Sequence, residues 1–160
     1  MNDYLLELGI GETLQVTGKG VIIGLDRRMT PRTRVVAECA TLPFRDGVFH
    51  TVYGAHVLEH LDYADVRHCV AEAYRVLAPN GRIVLYLPNA VYWMRRGWHE
   101  GLTSSVKDNL WGQQHHPWDL HRSGWDLRTL HDALTHAGFH RTRTGPGRTE
   151  DELWGEGTKP

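Results

Sequence analysis

Two short apolar runs, each closed by residues that suit ligand contact, constrain this chain more than any other feature. Tyr4-Leu5-Leu6-Glu7-Leu8 runs into Gly9-Ile10-Gly11, and Val21-Ile22-Ile23-Gly24-Leu25 runs into Asp26. Apolar runs this short, stopped by Gly or Asp, read as buried strands ending in turns. Similar runs cover residues 34–37, 49–54 and 82–87, the last two entered through Asp46-Gly47 and Pro79-Asn80-Gly81. Strands that are apolar on both alternations belong to parallel sheets. Two helices stand between and after them. Asp62 caps a stretch to about Ala78 in which Val66, Val70, Ala73 and Leu77 recur at spacings of 4, 3 and 4. Asp126 caps another with Leu127, Leu130, Leu134 and Ala137 on one face, and Gly138 suits the left-handed residue beyond its end. Residues 139–142 fit a sixth strand. Alternating strands and helices predict a mostly parallel α/β sheet that binds ligands beyond the carboxyl ends of its strands.

The residues at those strand ends are therefore the functional candidates. They are Glu7, Gly9 and Gly11; Asp26 with Arg27; Glu38, Cys39, Ala40 and Leu42; then Gly54, His56, Glu59 and His60. Glycines at 9 and 11 let a ligand lie directly on the backbone. Asp26, seventeen residues past Gly9, stands where a carboxylate accepts hydrogen bonds from both hydroxyls of a ribose. An ordinary turn and a solvated Asp would also account for these residues taken alone. A length of 160 residues suits one domain, and a net charge of -1 provides no basic field for nucleic acid or an anionic membrane. No stretch approaches the ~20 apolar residues of a membrane span. Cys39 and Cys69 lack metal-ligand spacing and read as buried free thiols, which fits a cytoplasmic, reducing location.

Leu6-Glu7-Leu8-Gly9-Ile10-Gly11 resembles the first motif of the class I S-adenosylmethionine-dependent methyltransferases, and Gly24-Leu25-Asp26 their second. Residues 40–49, Val57-Leu58-Glu59-His60 and residues 74–82 are similar to three further family signatures, so the resemblance spans about residues 4–90. It is closest to the short, type 11-like members. The resemblance implies a Rossmann-like sheet with helices on both faces and a site for S-adenosylmethionine. Within it, Glu7, Gly9 and Gly11 would line the methionine part, and Asp26 with Arg27 would lie at the ribose. Glu38, Cys39, Ala40 and Leu42 would surround the adenine, and Gly54 to His56 would face the methyl group.

The sequence also departs from the family pattern. Only nine residues, 12–20, separate Gly11 from Val21, and their two glycines and three β-branched residues make a full crossover helix improbable. The helix that usually precedes the first strand is absent, so another element is expected to cover the cofactor. His50 stands where many relatives carry Asp, and few or no antiparallel strands are expected beyond Thr142. The methyltransferase-like domain is expected over residues 1–144, with 91–125 as an insertion or lid and 145–160 as a polar, poorly packed tail. His56 and His60 are the catalytic candidates; a His56 that lines the pocket without acting as a base fits the same position. His56, Glu59 and His60 share one face of a helical turn and could hold a divalent metal. Glu59-His60 is also common in metal-free relatives, so no metal is assigned. His121 is expected to return from the insertion towards the pocket. The leading reading is a methyltransferase for a small-molecule or glycan acceptor. The alternative is a degenerate binding or assembly subunit that forms a homo-oligomer, or meets a partner subunit, through the Trp-rich insertion.

Overall fold

Each apolar run becomes a strand of one sheet in the computed structural model, which describes residues 4–12 and 20–160. The strands are β1 (Tyr4–Leu8), β2 (Val21–Asp26), β3 (Val35–Val36), β4 (Phe49–Ala55), β5 (Leu77–Pro88), β6 (His140–Pro146) and β7 (Glu152–Thr158). Their order is β3-β2-β1-β4-β5-β7-β6. The pairs from β3 to β5 are parallel, whereas β7 runs antiparallel to both β5 and β6. The order reverses between β1 and β4, so the ends of these two strands open the crevice where such sheets bind ligands. The expected short crossover falls largely on residues 13–19, outside the described residues.

Helix α1 (Tyr63–Val76) starts where Asp62 accepts from the N–H groups of Ala64 and Asp65, and α4 (Leu127–His136) starts at Asp126, which accepts from Thr129. Their apolar faces, including Val66, Val70, Ala73, Leu130 and Leu134, join Leu6, Leu8, Val52, Ile83 and Leu85 of the sheet in the main core. The insertion holds more regular structure than its sequence suggested. Helix α2 (Ala90–Glu100) is capped by Asn89 and α3 (Ser104–Trp111) by Thr103, and each stops at a glycine with positive φ. After a 3-10 turn at Pro117–Asp119 the chain returns to the sheet, where Ala90 donates to the carbonyl of Trp125. No helix among the described residues is long and apolar enough to cross a membrane.

The expectation of few or no C-terminal antiparallel strands is corrected by β7, and so is the expectation of a loose tail over residues 145–160. Strand β7 lies between β5 and β6, with Glu152 and Leu153 buried. The reason is close packing. A Cβ at Gly155 would meet Leu130 Cδ2 at 2.7 Å, and one at Gly157 would meet Phe139 Cβ at 2.7 Å. The glycines that made this segment look like a tail are what let α4 and Phe139 rest on the strand. Beyond it, Lys159 Nζ donates to the carbonyls of Tyr74, Arg75 and Leu77 at the end of α1, where a cation also complements the helix dipole.

Candidate functional site

At the end of β1 the backbone turns through Gly9 and Gly11, at φ +59° and +56°. The Gly11 N–H donates to Asp26 Oδ2 at 3.0 Å, and the Arg28 N–H donates to Asp26 Oδ1 at 2.9 Å. These bonds hold a carboxylate that is only 5% exposed at the wall of a cleft. A Cβ on Gly9 would strike Val57 Cγ2 at 2.6 Å, so only glycine lets this turn pack against Val57. Of the expected cofactor residues, the structure brings Gly9, Asp26, Arg27, Glu38 and Cys39 to the cleft, with His56 and His60 at its edge. Arg27 and Glu38 pair at 3.3 Å, both about half exposed.

Other expected residues stand behind this wall. Glu7 is buried within β1, opposite Gly24 and Tyr53, and Gly54 lies within β4, opposite Leu8 and Leu85. Gly11, Ala40 and Leu42 are not among the residues lining the cleft. Leu42 is turned into the core, and its N–H donates to Glu72 Oε2 at 2.7 Å. Sequence reasoning missed Arg28, Trp118 and Asp119. Trp118 and Asp119 line the cleft from the insertion, and the Arg28 guanidinium lies 5.3 Å from the Trp118 ring centre. The insertion thus contributes Trp118 and Asp119 to one side of the cleft. A tryptophan in a loop without periodicity carries no signal of that position.

His56, at φ +56°, sits between two buried carboxylates. Its Nδ1 is 3.3 Å from Glu59 Oε1 and its Nε2 is 3.1 Å from Glu152 Oε1. In this arrangement neither ring nitrogen offers the cleft the lone pair that a general base needs. The adjacent Glu59 carboxylate is the main reason the His56 pKa lies above the ordinary histidine value, against the cost of burial. Burial pushes Glu152 up, but the hydrogen bonds from Arg148 outweigh it and hold that carboxyl below its usual range. The stabilisation from a raised histidine pKa is complete below about pH 6.5 and is lost as pH rises through the folded-state value. Asn tolerates the left-handed backbone, so His56→Asn isolates this effect. The melting temperature of the wild type is expected to exceed that of His56→Asn most near pH 6, and the gap to narrow towards about pH 9. A gap of constant size would contradict the carboxylate pairing.

His60 Nδ1 is 3.1 Å from the Leu120 carbonyl and His121 Nδ1 is 3.0 Å from the Asn109 carbonyl, so each ring has its Nε2 left as the lone-pair nitrogen. The two rings meet edge to face, 5.0 Å apart, beside Glu59. His121 thus returns from the insertion to the cavity beside the cleft, and does not line the cleft itself. The approach is fixed by the backbone, because Arg122 and Ser123 donate their N–H groups to the Glu59 carbonyl at 2.6 and 3.1 Å.

A family model for the methyltransferase domain matches residues 4–85, just over half of the 160-residue chain. The chain belongs to this family. Solved structures agree on the fold. The methyltransferase domain superposes on the protein described as a methyltransferase in a complex with the Haloferax volcanii Trm112 activator, at a TM-score of 0.68 and 18% identity, covering 99% of this chain and 83% of that one. A Methanosarcina mazei S-adenosylmethionine-dependent methyltransferase gives 0.65 at 14% identity, covering 99% and 92%. Haemonchus contortus phosphoethanolamine N-methyltransferase 2, in complex with S-adenosylmethionine, gives 0.65 at 12% identity, covering 99% of this chain but only 49% of that protein. No curated protein sequence matches the chain.

The methyltransferase domain fits the cofactor that its family implies. Asp26 keeps a carboxylate lone pair beside the cleft, and Gly9 lines the cleft without a side chain. The donor set, an acid at the end of β2 and an acid with a backbone edge after β3, matches a ribose diol and an adenine.

Proposed function

We propose that this chain transfers a methyl group from S-adenosylmethionine to a small-molecule or glycan acceptor in the cytoplasm. What carries the reading is Asp26, a buried carboxylate fixed by Gly11 and Arg28 at the wall of the cleft between the glycine turn and Glu38. Asp26 accepts from the ribose hydroxyls, with Arg27 closing the rim through Glu38. Glu38 and the Cys39 backbone meet the adenine edge, and Ala40 and Leu42 support that segment from behind. Gly9 and Gly11 receive the methionine part, with Glu7 and Gly54 packed beneath it. The sulfonium supplies the reactive methyl, so the protein has to align donor with acceptor and keep water out. His60 and His56 belong to the acceptor end. His60 offers its Nε2 lone pair there, and His56 stands between Glu59 and Glu152. The net charge of -1 favours a small acceptor over a nucleic acid.

S-adenosylhomocysteine is expected to bind the full chain at about micromolar dissociation constant, near -8 kcal/mol. Calorimetry without heat, and no thermal shift at millimolar ligand, would overturn the reading. A second reading, an assembly subunit, is favoured by the exposed apolar side chains of the insertion. Trp98 is 87%, Leu102 61% and Met94 60% exposed. The structural relative bound to the Trm112 activator suggests a partner subunit as one occupant of that surface. An active monomer by light scattering would remove this second reading.

A further inference from the structure

We propose that Glu59, His60 and His121 bind a divalent first-row transition metal ion, zinc being the best match to the donors, at the acceptor end of the cleft. The placement at an acceptor site rests on the methyl-transfer reading; the binding of the metal does not.

Three observations carry it. First, one ligand atom from each of the three residues lies within 4.8 Å of the others. Ligands at the usual 2.0–2.2 Å from zinc lie about 3–3.5 Å apart, so a small side-chain closure completes the set. Second, the Glu59 carboxylate is 2% exposed and neither oxygen accepts a hydrogen bond of good geometry; His56 Nδ1 stands at 3.3 Å. The His56 ring is the one group that faces this buried carboxylate at such a distance among the described contacts, and a bound cation would compensate its charge directly. Third, both imidazoles are arranged as ligands. Each directs Nδ1 at a backbone carbonyl, Leu120 for His60 and Asn109 for His121, which fixes the tautomer and leaves Nε2 for a metal. The two elements that carry the ligands are tied together by the N–H groups of Arg122 and Ser123 on the Glu59 carbonyl, so the cluster is built by the fold rather than by loose surface side chains.

Two imidazoles and a carboxylate suit zinc, nickel or iron and not magnesium or calcium, which take oxygen donors. The cluster borders a cavity also lined by Asp108, Gln113 and Asp119. Three protein ligands beside open space leave a fourth position, as in metal sites that bind a reacting molecule. The ligand class for that position is an acceptor with an oxygen or nitrogen lone pair.

The test is calorimetric titration of zinc into the full chain after chelator treatment, with cobalt(II) absorption as the coordination signature. One site is expected, and His121→Ala and Glu59→Gln are each expected to weaken it about 100-fold or more. Glu59→Gln keeps the shape of the side chain and the carbonyl that anchors the insertion, so it remains informative should His121→Ala loosen that segment. His115→Ala and His136→Ala, at the surface, should leave the site unchanged. The chain has 11 histidines, so zinc binding that resists both ligand variants means adventitious surface binding and overturns the proposal. Absence of stoichiometric binding also overturns it. S-adenosylhomocysteine is titrated into the same samples. Cofactor bound without zinc sinks the metal site alone, and zinc bound without cofactor sinks the methyl-transfer reading alone.

Discussion

Replacing Asp26 with alanine is expected to weaken binding of S-adenosylmethionine by more than about tenfold, since a hydrogen bond to a charged group contributes roughly 1.5–3 kcal/mol and 1.4 kcal/mol is one decade. Two effects add. The ribose loses its charged acceptor, and the turn at Gly9 and Gly11 loses the carboxylate that the Gly11 N–H binds. Asp26→Asn separates them, because the amide keeps an acceptor oxygen for Gly11 but carries no charge. If the charge dominates, Asn behaves like Ala; if the turn dominates, Asn recovers most of the affinity. Calorimetry with S-adenosylhomocysteine reads both. An unchanged affinity in Asp26→Ala takes this residue out of the site. Melting curves serve as the control, because the freed N–H groups cost about 1–3 kcal/mol only where water cannot reach them.

Ending the chain at Thr144 is expected to abolish cooperative unfolding. The cut removes β7 and with it the seven β5 pairs from Arg82↔Thr158 to Pro88↔Glu152. It also takes away the strand that β6 pairs with among the described residues and the Lys159 ammonium on the end of α1. Leu153, 1% exposed, belongs to the main core. Truncating one such leucine to alanine costs about 2–5 kcal/mol, against a total stability of about 5–15 kcal/mol for a domain. Removing the whole strand exceeds that margin. Thermal melts by circular dichroism should show a broad, shallow change in place of a single transition. A sharp transition near that of the full chain would mean that β7 is dispensable.

The parts of the fold legible in the sequence are those where one residue type answers one need. Val-Ile-Ile-Gly-Leu before Asp26 and the helix caps at Asp62 and Asp126 are of this kind. Strand β7 was not legible, because its glycines serve contact with Leu130 and Phe139 and so erase the alternation that marks a strand. The same holds at the site. Gly9, Asp26, Glu38, His56 and His60 follow from strand ends, which are local features. Glu152 and Trp118 come from segments 96 and 62 residues beyond His56, and no local pattern joins them to it. The sequence suggests His121 as a residue returning from the insertion, but not its place beside Glu59 and His60. Its use depends on the Arg122 and Ser123 bonds to Glu59, which are backbone contacts and leave no trace in residue type.

The 3-10 turn at Pro117–Asp119 belongs to two cavities at once. Asp119 lines the cleft under Trp118 and also the space beside Glu59, His60 and His121. A ligand in the first that settles this turn alters the shape of the second. Binding linkage then works in both directions: if the cofactor tightens the acceptor by some factor, the acceptor tightens the cofactor by the same factor. One short piece of chain thus borders both cavities, and on the methyl-transfer reading it ties the occupancy of one to that of the other.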